Sequence, residues 1–396
     1  MAIKVLAIGD LANGFVDLSK IVKNAEIHVI NFQWDTASRL TESKEVEFFK
    51  SLKISEQVKK INSMKDDYDL AIVNTWAGAR LAYLTGMRYI MIFVGSALRV
   101  PLFIKNPTLN YLEKPLPSLN FLERRFYRDV LNGAIFCGTN ENDLYEILKK
   151  YRKKDIFLIR NALDFDRFNE NVIPIDWKKE KFVFFSPQRI GLAKGIDIIW
   201  KAIELTKTDF QVLQVEWFLG QRTEEEREKN KNLVLNKPTK VKLIPVIKRE
   251  EIPNVFAFVD GVIGQMRNGL GANVEKEAAM CKKPVIQYAD PKYKFKIGNE
   301  EKISPFLPQS NDPQVIADLI DKIVSSEEFR DELIEKEYSF VKKIADPDVI
   351  AQQWEELFFK IKTTENRKKS ELQLKFRVLN FLIVNRLYTK KVRKSI

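Results

Sequence analysis

Short, unbroken apolar runs alternate along this chain with longer stretches whose apolar residues recur every three or four positions. In the first half the runs fall at 3–8, 26–32, 70–73, 89–94, 134–137 and 156–159. Between them lie helical patterns such as 141–151, where Leu144, Ile147, Leu148 and Tyr151 share a face. Uniformly apolar short strands alternating with helices predict a parallel sheet covered on both sides. The segment 161–180, polar and carrying Pro174 and Trp177, breaks the rhythm and marks a domain boundary. A second set follows, with strands expected at 182–185, 211–218, 240–244, 261–263 and 284–287, and helices at 196–205 and 275–281. The fold class read from this pattern is α/β, two Rossmann-like domains over 1–170 and 171–345 whose carboxyl edges are expected to face a central cleft. Helical spacing resumes over 346–360, with Ile350, Trp354, Leu357 and Phe358 on one side. A last helix places Leu372, Phe376, Leu379, Ile383 and Leu387 on one face, so 367–396 is expected to be an amphipathic tail.

Composition narrows the chemistry. A chain of 396 residues, 45% hydrophobic and 30% charged, is long enough for two cores and too apolar for disorder. The single histidine, His28, sits inside an apolar run and reads as a strand histidine with its bonds satisfied. Cys137 and Cys281 fall in different domains. Such a chain is no zinc enzyme, no Ser-His-Asp hydrolase and no disulfide scaffold.

Charge is uneven. Residues 367–396 hold ten Lys/Arg against one acid, Glu371, and so carry +9 of the net +12. The nearly neutral remainder argues against nucleic acid as a partner. With no signal-peptide pattern and no run of 18 apolar residues, the chain is expected to be cytoplasmic, its basic tail meeting an anionic membrane surface on the inner face. A second apolar patch, 100–104 joined to 119–122 and followed by Arg124 and Arg125, is another candidate for lipid contact.

Candidate chemistry concentrates in the second half. The strand at 182–185 runs into Ser186-Pro187-Gln188-Arg189-Ile190-Gly191-Leu192-Ala193-Lys194-Gly195, which sets a guanidinium and an ammonium five residues apart above the sheet. A planar fork and a compact charge together suit a diphosphate. After the strand at 261–263 come Gln265-Met266-Arg267-Asn268-Gly269-Leu270-Gly271-Ala272-Asn273-Val274, then a helix bearing Glu277. Glycines here let the backbone approach a ligand, and the helix start offers unpaired N–H groups to an anion.

These blocks resemble the group-1, family-4 type of retaining glycosyltransferases with the GT-B fold. Arg189…Lys194-Gly195 is similar to the family's R-x4-KG loop, and Glu277-Ala278-Ala279-Met280-Cys281-Lys282-Lys283-Pro284-Val285 to its E-A-M-A-x-G-x-P-V segment. Gly9…Gly14 looks like the flexible glycine loop, Phe93-Val94-Gly95-Ser96-Ala97-Leu98-Arg99 like H-G-S-D-x-R, and the stretch around Asn161 and Asp164 like P-N-G-V-D-x-x-x-F. The resemblance implies transfer of a hexose from a nucleoside-diphosphate sugar, with retention, to a glycan or lipid-linked acceptor. It implies that Arg189 and Lys194 bind the diphosphate and that Glu277 holds the ribose. Gln265 and the run Gly269, Leu270, Gly271, Ala272, Asn273 and Val274 would cradle the donor, with Gly14, Gly95 and Ser96 near the acceptor. A helix over 346–366 would cross back to the N-terminal domain. No cofactor and no metal are expected, since Lys/Arg take the metal's place and Asp164-Phe165-Asp166 lies in the interdomain connection. The chain departs from the family where Gly269 replaces the first acid of E-x7-E, and where Val94 and Ala97 replace the histidine and aspartate of H-G-S-D. A degenerate GT-B protein serving as a binding or partner subunit, or a sugar-nucleotide epimerase of the same fold, would carry much the same blocks.

Overall fold

The computed structural model describes residues 2–11, 13–32, 46–109, 111–218, 223–362 and 371–392, without the side chains at 96, 371 and 384–392. The chain divides into two compact units, one of Met1–Leu109, Lys114–Ala162 and Asp348–Ile396, the other of Asn110–Glu113 and Leu163–Pro347.

The first unit is built on seven parallel strands: β1 (Ile3–Ile8), β2 (Ala25–Asn31), β3 (Val46–Phe48), β4 (Leu70–Val73), β5 (Tyr89–Phe93), β6 (Phe136–Thr139) and β7 (Ile156–Leu158). Their order is β3-β2-β1-β4-β5-β6-β7. β4 and β5 at the centre are apolar throughout because both faces are covered. Leu6 and Ile8 of β1 enter one core with Ala71, Val73, Met91 and Phe93. Val5 and Ala7 enter the opposite core with Leu70, Ile72, Ile90 and Ile92. The helix Pro347–Lys362 closes that second core with Ile350, Trp354, Leu357 and Phe358.

The second unit carries β8 (Phe182–Ser186), β9 (Phe210–Val215), β10 (Val241–Ile244), β11 (Gly261–Ile263) and β12 (Val285–Ile286), all parallel, in the order β10-β9-β8-β11-β12. Again alternate residues face opposite cores, Val183 and Phe185 on one side, Phe184 on the other. The helices Ile196–Leu205 and Pro313–Ser325 pack over one face, through Ile199, Ile203, Ile316 and Ile320. The observed architecture is α/β, two units each built on a parallel, Rossmann-like sheet.

Two expectations change at the edges. Of the patch at 100–104 and 119–122, Pro101 and Phe103 are buried in the first core, and only Phe121 and Leu122 remain strongly exposed. The last helix, Glu371–Val392, is not apolar on one side alone. Val378 and Phe381 pack into the first unit, while Leu372, Phe376, Leu379 and Ile383 form a separate, exposed row. The side chain of Leu387, and all of residues 363–370 and 393–396, lie outside the described residues. Among the described residues, no helix is long and apolar enough to cross a membrane.

Candidate active site

At the carboxyl ends of β8 and β11 the second unit brings its two distinctive loops together. After β8 the chain is held by Ile190, whose N–H donates to the Trp217 carbonyl at 2.7 Å. It then makes a short 3-10 turn, Leu192–Lys194, and reaches Gly195 at φ 75°. That left-handed backbone turns the chain directly into the helix Ile196–Leu205, a conformation that favours glycine. After β11, Met266 donates its N–H to the Lys194 carbonyl at 3.0 Å. The Arg267 Nε donates to the Leu192 carbonyl at 2.9 Å, and its guanidinium pairs with Asp197 at 2.6 Å. The loop carrying Arg189 and Lys194 is thus bonded to the loop that leads into Gly269–Val274.

The cations are half-buried. Arg189 lies over the Trp217 ring, 5.2 Å from its centroid, which orients the guanidinium. Lys194 is close enough to Glu275 to be one of the charges that act on it. Glu275 is fully buried, and one of its oxygens accepts from Gln188 Nε2 at 2.7 Å and from the Gln265 N–H at 3.0 Å. Its other oxygen has no hydrogen-bond partner. Burial pushes this carboxyl above its ordinary range, and Lys194 and the Gln265 N–H pull against that rise.

Gln265, expected to touch a donor, is spent on its own loop. Its Nε2 donates to the Leu270 carbonyl, and its Oε1 accepts from the Asn268 N–H at 3.0 Å and the Arg267 N–H at 3.3 Å. These bonds shape the turn that presents Gly269 and Leu270. Gly269 has φ 67°, and a Cβ there would stand 2.5 Å from the Asp290 Cβ. That crowding is a physical reason for glycine where the resembling family has an acid. The helix Asn273–Met280 then starts at Ala272, which supplies no side-chain acceptor to the first turn.

Glu277 is 2% exposed and forms a two-pronged pair with Arg249, one contact at 2.6 Å. Arg249 also lies over the Phe168 ring. The carboxylate assigned to a ribose is thus already held in place by a guanidinium from the loop after β10. Asp164 is exposed and accepts from the Arg167 N–H at 3.0 Å, a local turn contact. Among the described residues, no group of three or more His, Cys, Asp or Glu is placed to hold a metal ion.

In the first unit, β1 ends at Gly9 and Asp10, and Gly14 opens the helix Gly14–Ile21. Asp10 is buried, and its carboxylate accepts the N–H groups of Phe15 at 3.0 Å and Val16 at 3.1 Å. Burial raises it to about 7, while those two N–H groups act in the opposite direction. Gly95 and Ser96 follow β5, and Gly95 has φ 56°. Arg99 is bonded to Glu141 and Asp143 at 2.6 Å each. His28 lies on β2 between the Tyr68 hydroxyl and the Glu47 carboxylate.

Gln188, Glu275 and Arg249 are the residues that sequence reasoning missed. Polar residues ending apolar runs were the available signal: Ser186, Gln214 and Gln287 also lie buried at the carboxyl ends of their strands.

Residues 168–340, all within the second unit, match the family described as glycosyl transferases group 1. No curated protein matches the chain. Among solved structures, Anabaena HepE in complex with UDP and glucose is 18% identical, with 90% of this chain and 100% of that one covered at a TM-score of 0.64. Sucrose-phosphate synthase from Thermosynechococcus elongatus is 16% identical, with 91% and 100% covered and a TM-score of 0.64. A glycosyltransferase from Rickettsia africae is 16% identical, with 92% and 100% covered and a TM-score of 0.63. At these identities the likeness shows the fold. The family match lies in the second unit, and the likeness to these structures shows the GT-B fold.

Proposed function

We propose that this chain transfers a hexose from a nucleoside-diphosphate sugar to a hydroxyl of a glycan or lipid-linked acceptor, with retention and without a metal. The observation that carries the reading is the junction of two loops in the second unit. One bears Arg189 and Lys194; the other leads to a helix whose first turn receives no side-chain cap at Ala272. Cations beside a helix start whose N-cap residue supplies no acceptor favour a diphosphate. As the bond from the sugar carbon to the phosphate oxygen breaks, the departing diphosphate gains negative charge, and Arg189 and Lys194 would stabilise it. Acceptor binding would fall to the first unit, through Gly14, Gly95 and Ser96. The complex of Anabaena HepE with UDP-glucose supports a nucleotide sugar as the partner here.

Thermal shift with UDP, GDP and ADP tests the site. A nucleotide at 100 times its Kd should add about 2.7 kcal/mol of stability. A panel of nucleotide sugars, assayed for released nucleotide, then tests the reaction. Arg189→Ala and Lys194→Ala should each lower turnover by at least about 100-fold while the circular dichroism spectrum is retained. Full turnover in both variants would refute the assignment of the cations. Stabilisation by nucleotide without any turnover would identify a binding subunit instead.

A further inference from the structure

Over the described side chains at 372–383, the last helix, Glu371–Val392, carries large apolar residues on two opposite sides. At about 100° per residue, Phe381 stands diametrically across from the row Leu372, Phe376, Leu379 and Ile383. The inner side is accounted for. Phe381 packs on Phe126 with ring centroids 5.0 Å apart, Arg377 lies over the Tyr83 ring at 4.0 Å, and Leu374 sits against Gly86. These contacts fasten the helix to Trp76–Thr85 and Phe121–Gly133 of the first unit.

Among the described residues, none covers the outer side. Leu372, Phe376, Leu379 and Ile383 are 65, 63, 53 and 51% exposed, and Leu382 beside them 48%. Phe121 and Leu122, at the start of one of the two helices beneath, are exposed as well. Single exposed apolar residues are ordinary on protein surfaces, but four successive positions of one helical row, all large, are not. Such a row calls for an apolar partner on its outer side.

Charge decides among the occupants. Lys375 is exposed at the flank of the row, and residues 367–396 carry +9 in all, with Arg367, Lys368 and Lys369 before the row and Arg386, Lys390, Lys391, Arg393 and Lys394 after it. A two-fold contact between copies would set this charge against itself. An anionic surface with an apolar interior satisfies both features. We propose that the outer face of Glu371–Val392 is a fixed platform that seats the first unit on an anionic lipid bilayer, with Leu372, Phe376, Leu379 and Ile383 entering the interface, Lys375 at their flank, and the +9 charge of residues 367–396 drawing the chain to the headgroups. Because the inner side is bonded to the unit, the platform is preformed. The inference is independent of which donor, if any, the second unit uses.

The test is flotation of the full chain with phosphatidylcholine vesicles, with and without about one-third phosphatidylglycerol. The wild type should float with the anionic vesicles, at least about tenfold more than with the neutral ones, and high salt should release much of it. Phe376→Ser, Leu379→Ser and Ile383→Ser combined should abolish flotation and leave the melting temperature unchanged, because those side chains are exposed. A second variant, Lys375→Glu with Lys390→Glu and Lys391→Glu, should weaken flotation with its apolar row intact. Equal flotation of wild type and the triple serine variant would overturn the proposal, as would equal recovery with neutral and anionic vesicles. A wild-type dimer that the serine variant dissociates, with no vesicle binding, would give the face to a second copy and overturn it too.

Discussion

The helices that follow the central strands begin differently in the two units. In the first, the helix after β1 starts on the Asp10 carboxylate, which takes the N–H groups of Phe15 and Val16, and the helix after β4 starts on Thr75, whose hydroxyl takes the Gly78 N–H at 2.9 Å. In the second, the helices after β8 and β11 start at Gly195 and Ala272, and neither residue supplies a side-chain acceptor. Strand order is shared, so topology alone does not make an anion site. A helix start becomes one where the sequence withholds its own oxygen and adds cations nearby. In the first unit these two helix starts are answered by the chain's own oxygens.

Several substitutions would break or sharpen this contrast. The loss of turnover in the Arg189 and Lys194 variants is the largest effect expected. Gly269→Ala comes next. Its φ of 67° and the Asp290 Cβ at 2.5 Å make any side chain strained, so chemical denaturation should show a loss of about 1–3 kcal/mol, with nucleotide affinity falling alongside. A wild-type denaturation midpoint in that variant would show that the loop can be rebuilt. Ala272→Asp would give the second unit the self-cap that the first possesses. Calorimetric titration should then record nucleotide affinity down about tenfold, while thermal stability rises by about 0.5–1 kcal/mol. Unchanged affinity would mean that this helix start takes no part in binding. Thr75→Ala removes a cap from the first unit and should cost about 1 kcal/mol without altering nucleotide affinity.

A different kind of effect is a slope with pH. Burial raises Asp10 from 3.8 to about 7, so the folded chain holds that proton more tightly than the unfolded one. Its contribution to stability is therefore complete below pH 3.8 and is lost as pH rises through about 7. Asp10→Asn should flatten that part of the stability profile; an unaltered profile would mean that Asp10 titrates alike in both states.

Much of this architecture was legible in the apolar runs. The strands at 3–8, 70–73 and 261–263 coincide with the observed ones, because a strand buried on both faces admits hardly any polar residue. The runs that blurred were at the rim. β3 is three half-buried residues at a sheet edge, and the hairpin Lys294–Ile297 with Glu300–Ile303 is largely exposed and rich in charge. Neither needs an apolar pattern. The loop with Arg189 and Lys194, and the Gly-x-Gly before a helix, were readable as motifs only as a pair, since each alone is common in tight turns and surface loops.

What the linear pattern could not decide was which partner each polar side chain would find. Glu275 carries no distinguishing signal in the linear pattern and is fully buried; Gln265 reads as a ligand contact and bonds within its own turn. Periodicity placed Leu372, Phe376, Leu379 and Ile383 on one face of the last helix, but not which face the protein would cover. Chain-local rules settle runs, caps and spacing, because those depend on neighbours a few residues away. Pairings such as Glu277 with Arg249, and the choice of Phe381 for the inward side, join residues far apart in sequence, and only packing brought them together.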